Sequence, residues 1–288
     1  MTVPIFAAPL AMHRSRKLIP ELRLHRPRSA AEAVAMKAKA GPGAIYMAGG
    51  IDVVNRMKWG VQITDMVYLG AVEALYGIED ERGSLRLGAL VTHDRLATAP
   101  LVKARMPALA QACSDVANIR IRCKGTIGGN IMAGDPSYDF ALAALAANAR
   151  LHFLVEDGSA RTTSSSQLNA GMPDGLLTAV SMPSGDTLRL VFDRSLRPLV
   201  TLALGLDVTD GSITGGRVAI GCAYVAPFVV SLPMNEPLSQ GELAHSAERL
   251  AHDVTGKLPT PLSDHNATSD YRRRMIEVLL RRNLSAIA

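Results

Sequence analysis

Residues 118–149 read NIRIRCKGTIGGNIMAGDPSYDFALAALAANA, and their interpretation decides the rest of the chain. Asp135 is in place to cap a helix, with Pro136 at its first position and an alanine-rich series running to Asn148. Before it lies a glycine turn, Gly125-Thr126-Ile127-Gly128-Gly129-Asn130. A glycine pair allows positive φ and brings backbone close to a ligand without a Cβ clash. Successive N–H groups in such a turn form an anion-binding nest, to which Thr126 and Asn130 add side-chain donors. A second turn of this kind, Met47-Ala48-Gly49-Gly50-Ile51-Asp52, lies upstream. It follows a short apolar strand, Ala44 to Ala48, and Asp52 is placed to cap a helix reaching about Lys58. Two nests suit a diphosphate, because each phosphate needs its own donors. An ordinary turn would also account for either glycine pair alone. Neither turn fits the GxGxxG or the GxxxxGK nucleotide fingerprint. The residues by themselves define a candidate diphosphate site.

Working outward, Ser29-Ala30-Ala31-Glu32 resembles a capping box opening a helix to about Lys39. Strands are expected at Met66–Leu69, as a pair around Gly83, and between Leu151 and Met182. Helices are expected from Thr92 and over Met106–Val116. The chain changes character at Pro183-Ser184-Gly185, the expected domain boundary. Beyond it, residues 186–230 alternate as strands, with a hairpin turn at Asp210-Gly211-Ser212. Amphipathic helices are expected over 241–256 and 268–284, the second with Tyr271, Met275, Val278 and Leu279 on one face. That face suits core packing or a partner. Residues 1–18 read as an extension without periodicity.

The 288 residues are 48% hydrophobic and 20% charged, which excludes a disordered or collagen-like chain. The longest apolar runs are too short for a bilayer span. The net charge of +5 is mild, with much of the excess near the two ends. With six tyrosines, five phenylalanines and one tryptophan there is no aromatic-interleaved basic stripe, so nucleic-acid binding is not expected. Cys113, Cys123 and Cys222 form no CxxC pair and cannot alone hold an iron–sulfur cluster. The seven histidines lack metal-ligand spacing, no GxSxG is present, and no catalytic side chain is assigned. Met47, Met57 and Met66 read as core. Basic residues follow the apolar start instead of preceding it, the reverse of a signal peptide, so a cytoplasmic protein is expected.

Taken together, "AGGID…MK" at 48–58 and "IR…GTIGGN…GDP..D" at 121–139 resemble the paired signatures of the FAD-binding medium subunit of molybdenum hydroxylases. That family includes aerobic carbon monoxide dehydrogenases, xanthine dehydrogenases and bacterial dehydrogenases of N-heterocycles. "HRPRSAAEA" at 25–33, "LRLGALVTHDRL" at 85–96 and "SDYRRRMIEVLLRR" at 269–282 are also similar to it, so the resemblance covers nearly everything after residue 20. It implies an α+β chain with a two-lobed FAD-binding domain of the PCMH type at 19–185, lobes about 19–72 and 73–185. A small C-terminal domain of antiparallel sheet plus helices follows at 186–288.

The resemblance places FAD between the lobes, its diphosphate on both glycine turns. Met47, Ala48, Gly49, Gly50, Ile51 and Asp52 would contribute backbone, together with Thr126, Ile127, Gly128, Gly129 and Asn130. Asp139 matches an acidic position near the ribityl–phosphate part, though a helix's first turn favours a carboxylate in any case. Val116 and Leu177 match apolar positions lining the cofactor. Relatives often place a basic residue, a Gly-Asp or Asp-Asp pair and an aromatic near the flavin ring; here that segment reads VFDRSLRPLV, 191–200. The implied partners are a large molybdenum-cofactor subunit and a small subunit with [2Fe–2S] clusters, as a dimer of heterotrimers. The implied activity is electron transfer from those clusters through FAD to an external acceptor. A flavin-free scaffold bridging the partners and a stand-alone flavin oxidase or reductase are the competing interpretations.

Overall fold

The computed structural model describes residues 21–171, 174–195 and 198–287; the extension expected at residues 1–18 lies outside them. The first lobe is β1 (Arg23–His25), α1 (Ala30–Ala40), β2 (Ala44–Met47), α2 (Ile51–Lys58) and β3 (Asp65–Tyr68). Its strands form a parallel sheet in the order β1-β3-β2. Ser29 caps α1 by accepting from the Glu32 N–H, whereas the Glu32 carboxylate accepts from Arg28 N, one residue earlier than in a full capping box. Asp65 fixes β1 to β3. Its carboxylate is out of contact with solvent, 2.9 Å from Arg23 Nε, 3.0 Å from Arg23 Nη2 and 2.7 Å from His25 Nε2. Met57 and Met66 are buried with Ile63, and Met47 packs beside them, as core.

The second lobe begins with β4 (Ile78–Glu81), β5 (Ser84–Gly88), α3 (His93–Thr98), α4 (Pro100–Arg105), α5 (Pro107–Ser114) and α6 (Ile119–Arg122). It continues with α7 (Ile127–Ala133), α8 (Asp139–Ala146), β6 (Arg150–Leu154), β7 (Ala160–Ser164) and β8 (Leu176–Pro183). The strands make an antiparallel sheet ordered β4-β5-β8-β6-β7. Two expectations fail here. The glycine turn at 125–130 is the start of α7, with Thr126 as its cap. Asp135 does not cap the next helix: Oδ1 accepts from the N–H and hydroxyl of Ser137 at 2.8 and 2.6 Å, closing a local turn, and α8 starts only at Asp139. Such Asx turns compete with capping for the same carboxylate.

The third part holds β9 (Leu188–Arg194), β10 (Thr201–Thr209), β11 (Ser212–Gly221) and β12 (Phe228–Ser231), an antiparallel sheet ordered β12-β11-β10-β9. Asp210 and Gly211, at φ 50 and 79°, form the expected hairpin turn. α9 (Gln240–His245), α10 (Ala247–Gly256) and α11 (Ser269–Ser285) cover one face of this sheet. The helix expected at 241–256 is broken at Ser246. On α11 the buried face is Ile276, Leu279, Leu280 and Leu284, with Tyr271 exposed. The register turns because Arg272 goes inward, donating to Leu262 O and Asp264. Every residue of α8 is buried, between the second lobe's core and Ala203 and Ala219 of the third sheet. This is the α+β architecture expected, a two-lobed domain followed by antiparallel sheet plus helices.

Hydrogen bonds from His25 and then Arg23 hold the Asp65 carboxyl down at about 2. A depressed carboxylate stabilises the fold above its unfolded value near 3.9, and the contribution is lost as pH falls through about 2. Asp65→Asn should therefore lower the thermal midpoint at pH 7, and the gap to wild type should narrow below about pH 4, as read by calorimetry across pH.

Candidate FAD site

The two glycine turns meet at backbone level. An ideal Cβ on Gly49 would lie 1.6 Å from the Lys124 carbonyl oxygen, so only glycine lets the first turn rest on the segment leading into the second. Between the lobes opens a cavity of about 660 Å³. Its wall includes Ala48, Gly49, Gly50, Ile51 and Asp52 from the first turn and Thr126, Gly128, Gly129 and Asn130 from the second. Val116, Asp139 and Leu177 also line it. Met47 and Ile127 do not: Ile127 is buried in the second lobe's core, and Met47 packs in the first lobe's methionine cluster.

The turns differ in what they offer. Gly50 caps α2 at φ 78° without any side-chain hydrogen bond, and the helical ladder begins with Val54 N–H to Gly50 O. The N–H groups of Ile51, Asp52 and Val53 thus have no partner within the helix. Asp52, expected as the cap, instead sits inside the first turn with Oδ2 2.6 Å from Arg56 Nε. In the second turn most donors are already used. Ile127 N–H goes to Val91 O, Gly128 N–H to Ala89 O and Asn130 N–H to Thr126 O. Gly129 N–H is held only by the Thr126 hydroxyl, at 3.1 Å. Asn130, expected as a donor to ligand, accepts from Ala141 N–H and lies 3.5 Å from His93 Nε2, which ties α7 to α8 and α3. Neither Gly128 nor Gly129 has positive φ, because both are helical.

The remaining geometry fits a diphosphate nonetheless. Gly129 is exposed to the cavity, and a Cβ there would meet only Thr126 Oγ1, at 3.1 Å. The open α2 amides, the Thr126 O–H and the exchangeable Gly129 N–H converge on that space. Beyond them Asp139, 8% exposed, faces Arg194 Nη1 at 3.4 Å, while Arg194 Nη2 donates to Asp115 O. Burial pushes the Asp139 carboxyl up to about 6; Arg194 works against this and Asp115 adds to it.

Arg56, His93 and Tyr138 also line the cavity and carry no role in the sequence analysis; Arg194 and Pro198 line it from the 191–200 segment compared above with the flavin-ring region of relatives. Burial brings His93 down to about 4, so its ring is neutral at pH 7. Arg56 had a legible signal, an acid–base spacing of four from Asp52. His93 and Tyr138 had none.

Residues 20–185 match the family described as FAD binding domain in molybdopterin dehydrogenase, and the chain belongs to it. It is thus an oxidoreductase subunit of the FAD-binding, molybdenum-hydroxylase type. The carbon monoxide dehydrogenase medium chain of Hydrogenophaga pseudoflava is 26% identical over 281 residues, 93% of this chain and 97% of that one. The nicotine 6-hydroxylase medium subunit of Paenarthrobacter nicotinovorans is 28% identical, over 76% of this chain and 80% of its own. The fold is shared with quinoline 2-oxidoreductase from Pseudomonas putida 86, at TM-score 0.83 and 24% identity, covering 94% of this chain and 98% of that one.

A carboxyl raised by burial favours the fold below its unfolded value, and that advantage is lost as pH rises through about 6. Asp139→Asn should remove this dependence. Between pH 4 and 7 the wild-type thermal midpoint should fall relative to the variant's, and parallel profiles would refute the assignment.

Proposed function

We propose that this chain is the FAD-carrying electron-transfer subunit of a heterotrimeric-type molybdenum hydroxylase. It takes electrons from [2Fe–2S] clusters on a small partner subunit and passes them to an external acceptor. The observation that carries this reading is the single cavity where the α2 amides, Thr126, Gly129 and Asp139 converge. Ala48 to Asp52 and Thr126 to Asn130 cradle the diphosphate, Met47 and Ile127 serving only as the backbone that shapes the turns. Asp139 lies toward the ribityl–phosphate part, and Val116 and Leu177 line the cofactor. Bound there, FAD supplies a redox group that receives electrons singly and gives them up in pairs.

The chain's own contribution is placement and tuning. Two ion pairs, Asp52 with Arg56 and Asp139 with Arg194, line the cavity. Among the described residues no cluster of His, Cys, Asp or Glu is arranged to hold a metal. The molybdenum cofactor is assigned to a large partner subunit, and the assembly to a dimer of heterotrimers in the cytoplasm. Among the described residues no helix is long and apolar enough to cross a membrane. The proposed division is an extension at 1–18, the FAD domain at 19–185 with lobes about 19–72 and 73–185, and the C-terminal domain at 186–288.

Acid denaturation of the purified protein should release FAD into the supernatant; a yellow pellet or FMN would count against noncovalent FAD. Gly129→Val places its side chain in the cavity, whereas a Cβ on Gly128 would lie 2.7 Å from Ala89 O, a clash within the fold. Gly129→Val should therefore keep the complex assembled while its flavin-to-molybdenum ratio collapses. An unchanged ratio would make the segment a structural turn only.

In the flavin-free complex, substrate should still bleach the iron–sulfur absorbance in a single turnover, while steady turnover with the physiological acceptor fails. Normal turnover would favour the flavin-free scaffold.

A further inference from the structure

α2 belongs to the first lobe by its packing. Met57, Val53 and Val54 pack with Leu22, Ile45, Met47, Ile63 and Met66, all from that lobe. It and the turn before it meet α7 and the segment leading into that helix in two places. At the amino-terminal side, Gly49 lies against the Lys124 carbonyl. At the carboxy-terminal side, Arg56 Nη2 donates to Ala133 O at 2.8 Å.

Ala133 is the last residue of α7, so its carbonyl lacks a partner within the helix. A guanidinium there also meets the negative end of the helix dipole. Asp52, one turn earlier on α2, places Oδ2 2.6 Å from Nε of the same guanidinium. One contact lies ahead of the two helix starts and the other joins their last turns. The first lobe also shares an apolar core with the second, Val34, Val67 and Leu69 together with Leu90 and Leu176, so Arg56 acts on the fine placement of the open α2 amides relative to Thr126 and Gly129.

We propose that Arg56 is a positioning residue that sets the spacing of the two glycine turns, by tying α2 to the end of α7 along the cavity wall. This rests on the reading of the cavity as the FAD site. The task needs two guanidinium nitrogens at once, Nε beside the Asp52 carboxylate and Nη2 on the Ala133 carbonyl; a lysine ammonium offers one point and cannot reproduce it. Arg56 itself need not touch the diphosphate, which lies at the opposite end of α2, about 9 Å away at 1.5 Å per residue.

The test uses the purified complex, stripped of flavin and reloaded with FAD, with the dissociation constant read from flavin fluorescence. Loss of one charge-assisted bond that orders the site should weaken FAD binding by about 10- to 100-fold in Arg56→Ala. Arg56→Lys should recover only part of that. Val254→Ala, in the remote helix α10, supplies a complex of lowered thermal midpoint that should bind FAD as wild type does. Wild-type affinity in Arg56→Ala, or an equal loss in Val254→Ala, would overturn the positioning role. Failure of the wild-type complex itself to take up FAD would instead overturn the site reading beneath it.

Discussion

The cavity depends on one backbone contact, Gly49 against the carbonyl of Lys124. Any side chain at Gly49 would occupy the space of that oxygen, so the two lobes approach there at the distance of bare main chain. An apolar core that includes Val34, Val67, Leu90 and Leu176 joins the lobes as well, and the contact sets how the two turns face each other. The start of α2 is left pointing at the gap between the lobes, and Thr126 and Gly129 form the opposite wall. Because the second turn spends its amides on Val91, Ala89 and Thr126, it is a rigid surface. The first turn, uncapped by any side chain, keeps its donors for whatever enters. One wall is braced and the other is receptive.

The far end of the cavity depends on α8. This helix is buried along its whole length because it serves two cores, the second lobe's and the third sheet's. Arg217 from β11 donates to the Ala146 carbonyl at its end, and Arg194 from β9 reaches Asp139 at its start. The C-terminal part therefore contributes directly to the electrostatics of the cavity. A change in how that sheet packs on α8 would move Arg194, and with it the charge beside Asp139, without touching either glycine turn.

Much of this was legible in the sequence because it rests on local rules. The Ser29 cap, the Gly83 and Asp210-Gly211 turns, and the strand before Gly49 each need only a few neighbouring residues. The failures share another cause. Asp52 and Asp135 both stood where a cap belongs, yet one was taken by Arg56 and the other by Ser137. Asn130, expected to face ligand, lines the cavity and also braces α8 through its Oδ1. In each case a short polar side chain had two possible partners, and tertiary packing decided between them. His93 was invisible for a related reason, since only the folded chain brings it to that wall; Arg194 lay in the 191–200 segment compared with the flavin-ring region of relatives, but its pairing with Asp139 was not legible.

The charge of that wall explains why the sequence signature is written in glycine and not in lysine. Asp52, Asp115 and Asp139 line the cavity, against Arg56 and Arg194. Both arginines are already engaged by Asp52 and Asp139, so the ionised side chains offer no surplus of positive charge to a dianion. Burial also raises the Asp52 and Asp139 carboxyls, as expected where negative charge is poorly solvated. On the proposed reading a diphosphate is balanced by dipoles: the amides at the start of α2, the hydroxyl of Thr126 and the amide of Gly129. Dipoles act only at short range and in the right direction, whereas a lysine tolerates displacement by virtue of its flexible stem. The site consequently demands exact backbone placement, which glycine allows at the contact and which the ion pairs around it, Asp52 with Arg56 above all, hold in place.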